Sequence, residues 1–113
     1  MSLERLRKLS IPEKVARAIV AFVEELKRRY DDVEVYLFGS YAKGTWIEDS
    51  DVDLIVISKH FRGMSMEERA RIRLLADWSI PFQIFTYTPE EFKIVLKRSS
   101  ILRDAQKYWI KLT

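Results

Sequence analysis

Apolar positions recur along the chain with two periods, and the changes of period mark the elements. Between Ile11 and Tyr30, the residues Val15, Ile19, Phe22, Val23, Leu26 and Tyr30 fall at three- and four-residue intervals, which predicts an amphipathic helix. Ser10 and Glu13 have capping-box spacing, and Pro12 suits a first turn. Lys27, Arg28 and Arg29 fall at the helix C-terminus, where cations complement the dipole. The period then becomes two. Val33 to Phe38 alternates and reads as a strand that Gly39-Ser40 breaks. Val52 to Ile57 is more continuously apolar and predicts a strand buried on both faces. Met66 to Trp78 predicts a helix capped by Ser65 and Glu68. Within it Arg69, Arg71 and Arg73 are spaced two apart, which predicts solvated charge and not one stripe. Phe82 to Tyr87 reads as a third strand. Thr88-Pro89-Glu90-Glu91 is the clearest helix start in the chain, for a helix reaching about Arg98. Ser99 or Ser100 caps a last short helix through Gln106, and Tyr108 to Ile110 reads as a final edge strand. The order predicts a small α/β (α+β) layer with a mixed sheet and helices packed on it.

Length and composition narrow this picture. A chain of 113 residues with 48% hydrophobic positions is expected to form one domain across residues 1–113. The absence of cysteine excludes disulfides, thiol catalysis and cysteine-ligated metals, and the lone His60 excludes a multi-histidine site. No apolar run reaches membrane-spanning length, and the first ten residues lack the apolar core of a signal peptide, so a cytoplasmic protein is expected. The net charge of +3 conceals an uneven distribution: residues 1–30 carry +4, residues 31–58 carry −6 and residues 59–113 carry +5. An acidic segment between basic flanks does not indicate nucleic-acid binding.

That segment holds the candidate chemistry: Phe38-Gly39-Ser40-Tyr41-Ala42-Lys43-Gly44-Thr45, then Asp49-Ser50-Asp51-Val52-Asp53-Leu54. A glycine at the end of a strand allows close backbone approach, and a helix beginning at Ser40 would direct free N–H groups outward. Lys43 stands before Gly44 instead of after it, so this is not a Walker A loop. Leu54 and His60 occupy the positions where an EF-hand needs glycine and glutamate, which excludes that loop too. Asp51 and Asp53 alternate on one face of a strand start, about 6–7 Å apart. Two like charges beside an apolar strand are poorly solvated and favour a compensating cation. Oxygen ligands without histidine or cysteine suit Mg²⁺ or Mn²⁺, which takes one or two carboxylates and completes its shell with water and phosphate oxygens. If the first two strands are antiparallel, Ser40 and the two aspartates converge.

Gly39-Ser40, ten residues, then Asp51-Val52-Asp53 resembles the signature of the DNA polymerase β-like nucleotidyltransferases, and the chain as a whole looks most like their minimal nucleotidyltransferase (MNT) branch. The resemblance implies that Gly39 and Ser40 hold nucleotide phosphates, with help from Lys43, and that Asp51 and Asp53 ligate Mg²⁺. It implies transfer of a nucleoside monophosphate, AMP from ATP, to an acceptor. It further implies a third carboxylate on the next strand, where this chain has Gln83. Glutamine offers a carbonyl oxygen but neither charge nor basicity. Asp77 is not expected to substitute. MNT proteins are often paired with HEPN-domain toxins as antitoxins, and a chain this short leaves the acceptor to bring its own surface. The alternative is a catalytically degenerate module that neutralises such a partner by binding alone. A homo-oligomer stays open. His60 reads as a surface residue, Trp46, Trp78 and Trp109 read mostly as core, and Arg98 and Arg103 could reach a phosphate.

Overall fold

A computed structural model of the chain describes residues 3–113. Helix α1 (Leu3–Lys8) precedes the long amphipathic helix α2 (Glu13–Arg29), and Leu6 of α1 is fully buried. The capping box expected at Ser10 does not form. Ser10 lies in the turn between the helices with φ 61°, and Pro12, which has no capping side chain, stands at the N-cap. Glu13 is drawn elsewhere: its carboxylate receives Arg7 at 2.6 and 2.9 Å and Arg17 at 3.0 Å, tying α1 to α2.

Strands β1 (Glu34–Phe38) and β2 (Val52–Ile57) follow, separated by the five-residue helix α3 (Gly39–Lys43). β1 and β2 pair antiparallel, β2 pairs parallel with β3 (Phe82–Tyr87), and β1 pairs antiparallel with the two-residue β4 (Ile110–Lys111). The sheet order is β3-β2-β1-β4, a mixed sheet with β3 on one edge. β4 is shorter than expected; Trp109 instead packs its ring on Tyr36 at 4.6 Å.

Alternation along β2 gives the sheet two apolar faces. Val52, Leu54 and Val56 meet Ile19, Phe22, Val23 and Leu26 of α2. Ile55 and Ile57 meet Leu102 and Ala105 of α6 (Ser100–Ala105), with Phe92 and Val95 of α5 (Pro89–Arg98) partly buried against them. β2 is therefore buried on both faces, as its composition predicts. Period two assigns Asp53 to the α5–α6 face, at its open end.

The segment 66–78 departs from a single helix. Helix α4 spans only Met66–Ala70, a tighter 3-10 turn covers Arg71–Leu75, and Ala76 is extended. Ser65 does cap it, accepting from the Glu68 N–H at 3.1 Å. Few apolar anchors hold this stretch: Ile72 is buried, but Met66, Leu74 and Trp78 are exposed, Trp78 at 88% against its expected core role. Arg69 corrects the expectation of solvated charge. It is only 8% exposed and donates to Glu91 at 2.7 Å and to the Phe61 carbonyl at 2.9 Å. Arg69 and Arg73 are four residues apart and share a face, while Arg71 points away, so alternate arginines do not act as a series.

The Thr88 capping box forms in full. Thr88 Oγ1 accepts from the Glu91 N–H at 3.1 Å, and Glu91 accepts from the Thr88 N–H at 2.7 Å. Ser99 caps α6 through the Leu102 N–H at 3.2 Å. Thr88→Ala is expected to cost about 1–2 kcal/mol, because a buried cap leaves an orphan N–H. Ser10→Ala is expected to stay within about 0.5 kcal/mol, since its side chain caps nothing. Urea unfolding of the two variants checks both values; an equal loss in both would restore the Ser10 cap.

Candidate active site

The site begins where β1 ends. Phe38 is extended and the chain turns at Gly39, whose φ of +73° favours glycine. α3 then runs only to Lys43, because Gly44 adopts the left-handed conformation and its N–H closes on the Ser40 carbonyl. The antiparallel register sets Phe38 opposite Asp53. Gly39 therefore abuts the Asp53 side chain, and a Cβ at position 39 would collide with Asp53 Oδ2. Two independent constraints, backbone conformation and a neighbouring carboxylate, thus select glycine here.

Asp53 is half-buried at the start of β2, and Asp51 is exposed just before it. Burial pushes the Asp53 carboxyl up to about 6, with the Asp51 charge contributing in the same direction. Among the described residues no Lys or Arg forms an ion pair with either aspartate. The pair is without a protein cation, and its half-buried member Asp53 is under-solvated. Parallel pairing of β2 and β3 sets Gln83 opposite Asp53, so the two side chains neighbour each other on one face of the sheet. Ser40 follows Gly39 at the mouth of this corner. The Lys43 Nζ lies over the Tyr108 ring, 4.7 Å from its centroid.

Other candidates resolve into structural roles. Asp77 accepts from the Ser79 N–H at 2.8 Å and its hydroxyl at 2.7 Å, closing the turn before β3. Arg103 donates to the Lys97 carbonyl at 2.6 Å and closes the end of α5. Asp49 takes φ 69° in a turn in which the Ile47 N–H donates to Ser50 Oγ at 2.8 Å. One cluster escaped the sequence reading. Asp31, Asp32 and His60 meet at the far end of the β1–β2 pair, with ligand atoms within 4.8 Å of one another. The antiparallel-strand argument that brings Ser40 toward the aspartates would have found it, since that pairing also brings the start of β1 to the end of β2. Asp32 is occupied there: it accepts from Ser58 Oγ and the Lys59 N–H, each at 2.7 Å. Asp31 pairs with exposed His60 at 2.8 Å. No described helix is long and apolar enough to cross a membrane.

Residues 19–108 match the family model of the nucleotidyltransferase domain, and the chain belongs to that family. A Methanocaldococcus jannaschii protein described as a candidate protein adenylyltransferase is 26% identical over 100 residues, covering 83% of this chain and 98% of its own length. A second protein of that organism, described in the same way, is 49% identical over 41 residues, but the match spans only 28% of its length. The protein adenylyltransferase MntA of Thermococcus cleftensis is 41% identical over 44 residues, covering 39% of this chain and 44% of its own. The crystal structure of a candidate nucleotidyltransferase from Sulfolobus solfataricus superposes with a TM-score of 0.55 at 19% identity, covering 96% of this chain and 80% of that one, which is a likeness of fold.

Two outcomes test the geometry without any ligand. A raised carboxyl pKa means that the stability present when Asp53 is protonated, below pH about 4, is lost as pH rises through about 6. In chelator-treated buffer, Asp53→Asn is expected to stabilise the fold at pH 7.5 by about 1–2 kcal/mol, after discounting for solvent access, and to make no difference near pH 4. Thermal melts at both pH values measure this. Gly39→Ala is expected to destabilise by about 2 kcal/mol or more, from the positive φ and the collision with Asp53. A neutral Gly39→Ala would show that the turn can relax away from β2.

Proposed function

We propose that this chain transfers AMP from ATP, in a Mg²⁺-dependent reaction, to a hydroxyl of an acceptor protein. The observation that carries the reading is the Asp53 carboxylate packed against the Gly39 backbone, with Asp51 beside it and no protein cation to neutralise the pair. A donor set of two carboxylates, partly dehydrated and lacking a basic partner, fits a hard divalent cation that also binds phosphate oxygens. Asp51 and Asp53 would hold Mg²⁺, and the bound ion would supply charge neutralisation at the phosphates. Gly39 leaves room for a phosphate to approach the backbone, and Ser40 offers a hydroxyl donor. Lys43, parked on Tyr108, supplies a charge that a bound phosphate could draw off the ring.

In the reaction, the acceptor hydroxyl gives its proton to solvent water, its oxygen bonds to the α-phosphorus, the bond from that phosphorus to the bridging oxygen breaks, and pyrophosphate leaves. Family membership and the relatives named as protein adenylyltransferases support this class of reaction. The acceptor we favour is a HEPN-type partner toxin, which the chain would neutralise as an antitoxin in the cytoplasm.

One observation favours a second reading. Gln83 stands opposite Asp53, where a third carboxylate would assist the acceptor hydroxyl, and an amide cannot take that proton. The chain would then bind nucleotide and partner without transferring AMP. Incubation with α-labelled ATP, Mg²⁺ and a HEPN protein encoded beside this chain separates the two. Transfer is expected in the natural chain, and Asp51→Asn or Asp53→Asn is expected to reduce it on the order of 100-fold. Labelling that arises only with Gln83→Asp would establish the binding-only reading. Failure of the natural chain to bind MgATP in calorimetry would overturn both.

A further inference from the structure

Strand β3 is the edge of the sheet next to the candidate site, and its outer side is not covered by another strand. The Pro81 and Tyr87 carbonyls bond inward to Val52 and Ser58, so odd-numbered residues face β2 and the backbone groups of Ile84 and Thr86 face outward. Along this edge runs a groove in two connected parts. A cavity of about 330 Å³ lies between α4 with its following turn and β3, and Gln83 borders it. A second of about 250 Å³ continues toward α5, ending at Ile94, and the two share Met66, Arg69 and Thr86. The groove thus starts beside the residue opposite Asp53 and follows the strand outward.

Its chemistry is cationic with apolar shoulders. Arg73 forms no ion pair among the described residues: its guanidinium donates to the Ile80 and Ala76 carbonyls and lies over the Phe82 ring, and Asp77 feels its charge only at longer range. The one acid in the groove, Glu91, is already paired with Arg69 at 2.7 Å. Arg69 Nε is buried and has no hydrogen-bond partner, an unmet donor in a side chain more than nine-tenths buried. Met66 and Ile94, at 73% and 51% exposure, flank the opening. An unpaired strand edge beside an arginine that forms no ion pair matches an extended polypeptide whose backbone pairs with Ile84 and Thr86 and whose acidic side chain meets Arg73.

The geometry points to the β3 edge as the docking site for an extended, acidic segment of the acceptor protein, added as a fifth strand that carries the acceptor hydroxyl toward Asp53. This rests on the transfer reading in one respect only: the segment is taken to belong to the acceptor. The docking itself is independent of catalysis. A phage-displayed library of random short peptides, selected against the full chain, tests it. Enriched peptides are expected to be rich in Asp and Glu, to alternate acidic with apolar residues and to lack proline. Their affinity is expected to fall about tenfold or more for Arg73→Glu, and likewise for Thr86→Pro, which removes an outward N–H without touching the β2 ladder. Thermal melts confirm that each variant folds, and either variant suffices if the other does not. No enrichment, enrichment of basic peptides, or peptides that bind both variants as well as the natural chain would overturn the proposal. So would concentration-dependent protection of the Ile84 and Thr86 amides from exchange in the chain alone, which would make a second copy the occupant. MgATP binding by the natural chain is measured in parallel: its loss strikes the transfer reading and leaves the docking result standing, and the reverse holds.

Discussion

The contact between the Asp53 carboxylate and the Gly39 backbone organises this molecule. It exists because β1 and β2 pair antiparallel with Phe38 opposite Asp53, and it disfavours any side chain at the turn. The turn sets the direction of α3. The same register makes Asp53 the first residue on the α5–α6 face of β2, where apolar neighbours strip its solvation and raise its pKa to about 6. A folded chain that keeps an under-solvated carboxylate beside a second acid gives up stability at neutral pH. That cost is characteristic of sites that await a cation or a charged ligand.

The remaining architecture supports this corner. β2 carries two apolar sets, one facing α2 and one facing α5 and α6, so it is clamped from both sides and cannot slip by one residue without exposing both. β3 inherits its register from β2, and that alone places Gln83 beside Asp53. The Thr88 capping box fixes where α5 begins, and Glu91 of that box also holds Arg69, coupling the helix start to α4. A local capping signal thereby positions a buried arginine far away in sequence.

Much of this was legible in the residues themselves. The three main strands, the long helix and the Thr88 cap follow from local period and spacing, which act over a few residues. The misreadings share one cause. Ser10 has capping-box spacing, but Glu13 was claimed by Arg7 from the preceding helix. The segment 66–78 has helical spacing, but with Ile72 as its main buried anchor it tightened into a 3-10 turn. Arg69 reads as solvated until Glu91 and the Phe61 carbonyl are brought to it. In each case packing outside the matched pattern, and not the pattern itself, decided the outcome.

The sequence by itself determined which residues could do chemistry: an acidic pair, a glycine-serine turn, and an oxygen-only ligand set in a chain without cysteine. It did so because strand alternation and ligand preference depend on residue type and short spacing. Only the tertiary structure decided how those residues meet. Strand pairing put Gln83 opposite Asp53, turned Lys43 onto Tyr108, gathered Asp31, Asp32 and His60 at the opposite end of the hairpin, and left β3 as an open edge lined by Arg69 and Arg73. Sheet order and register arise from burying both faces of β2 at once, a constraint on the whole chain that no short window of residues contains.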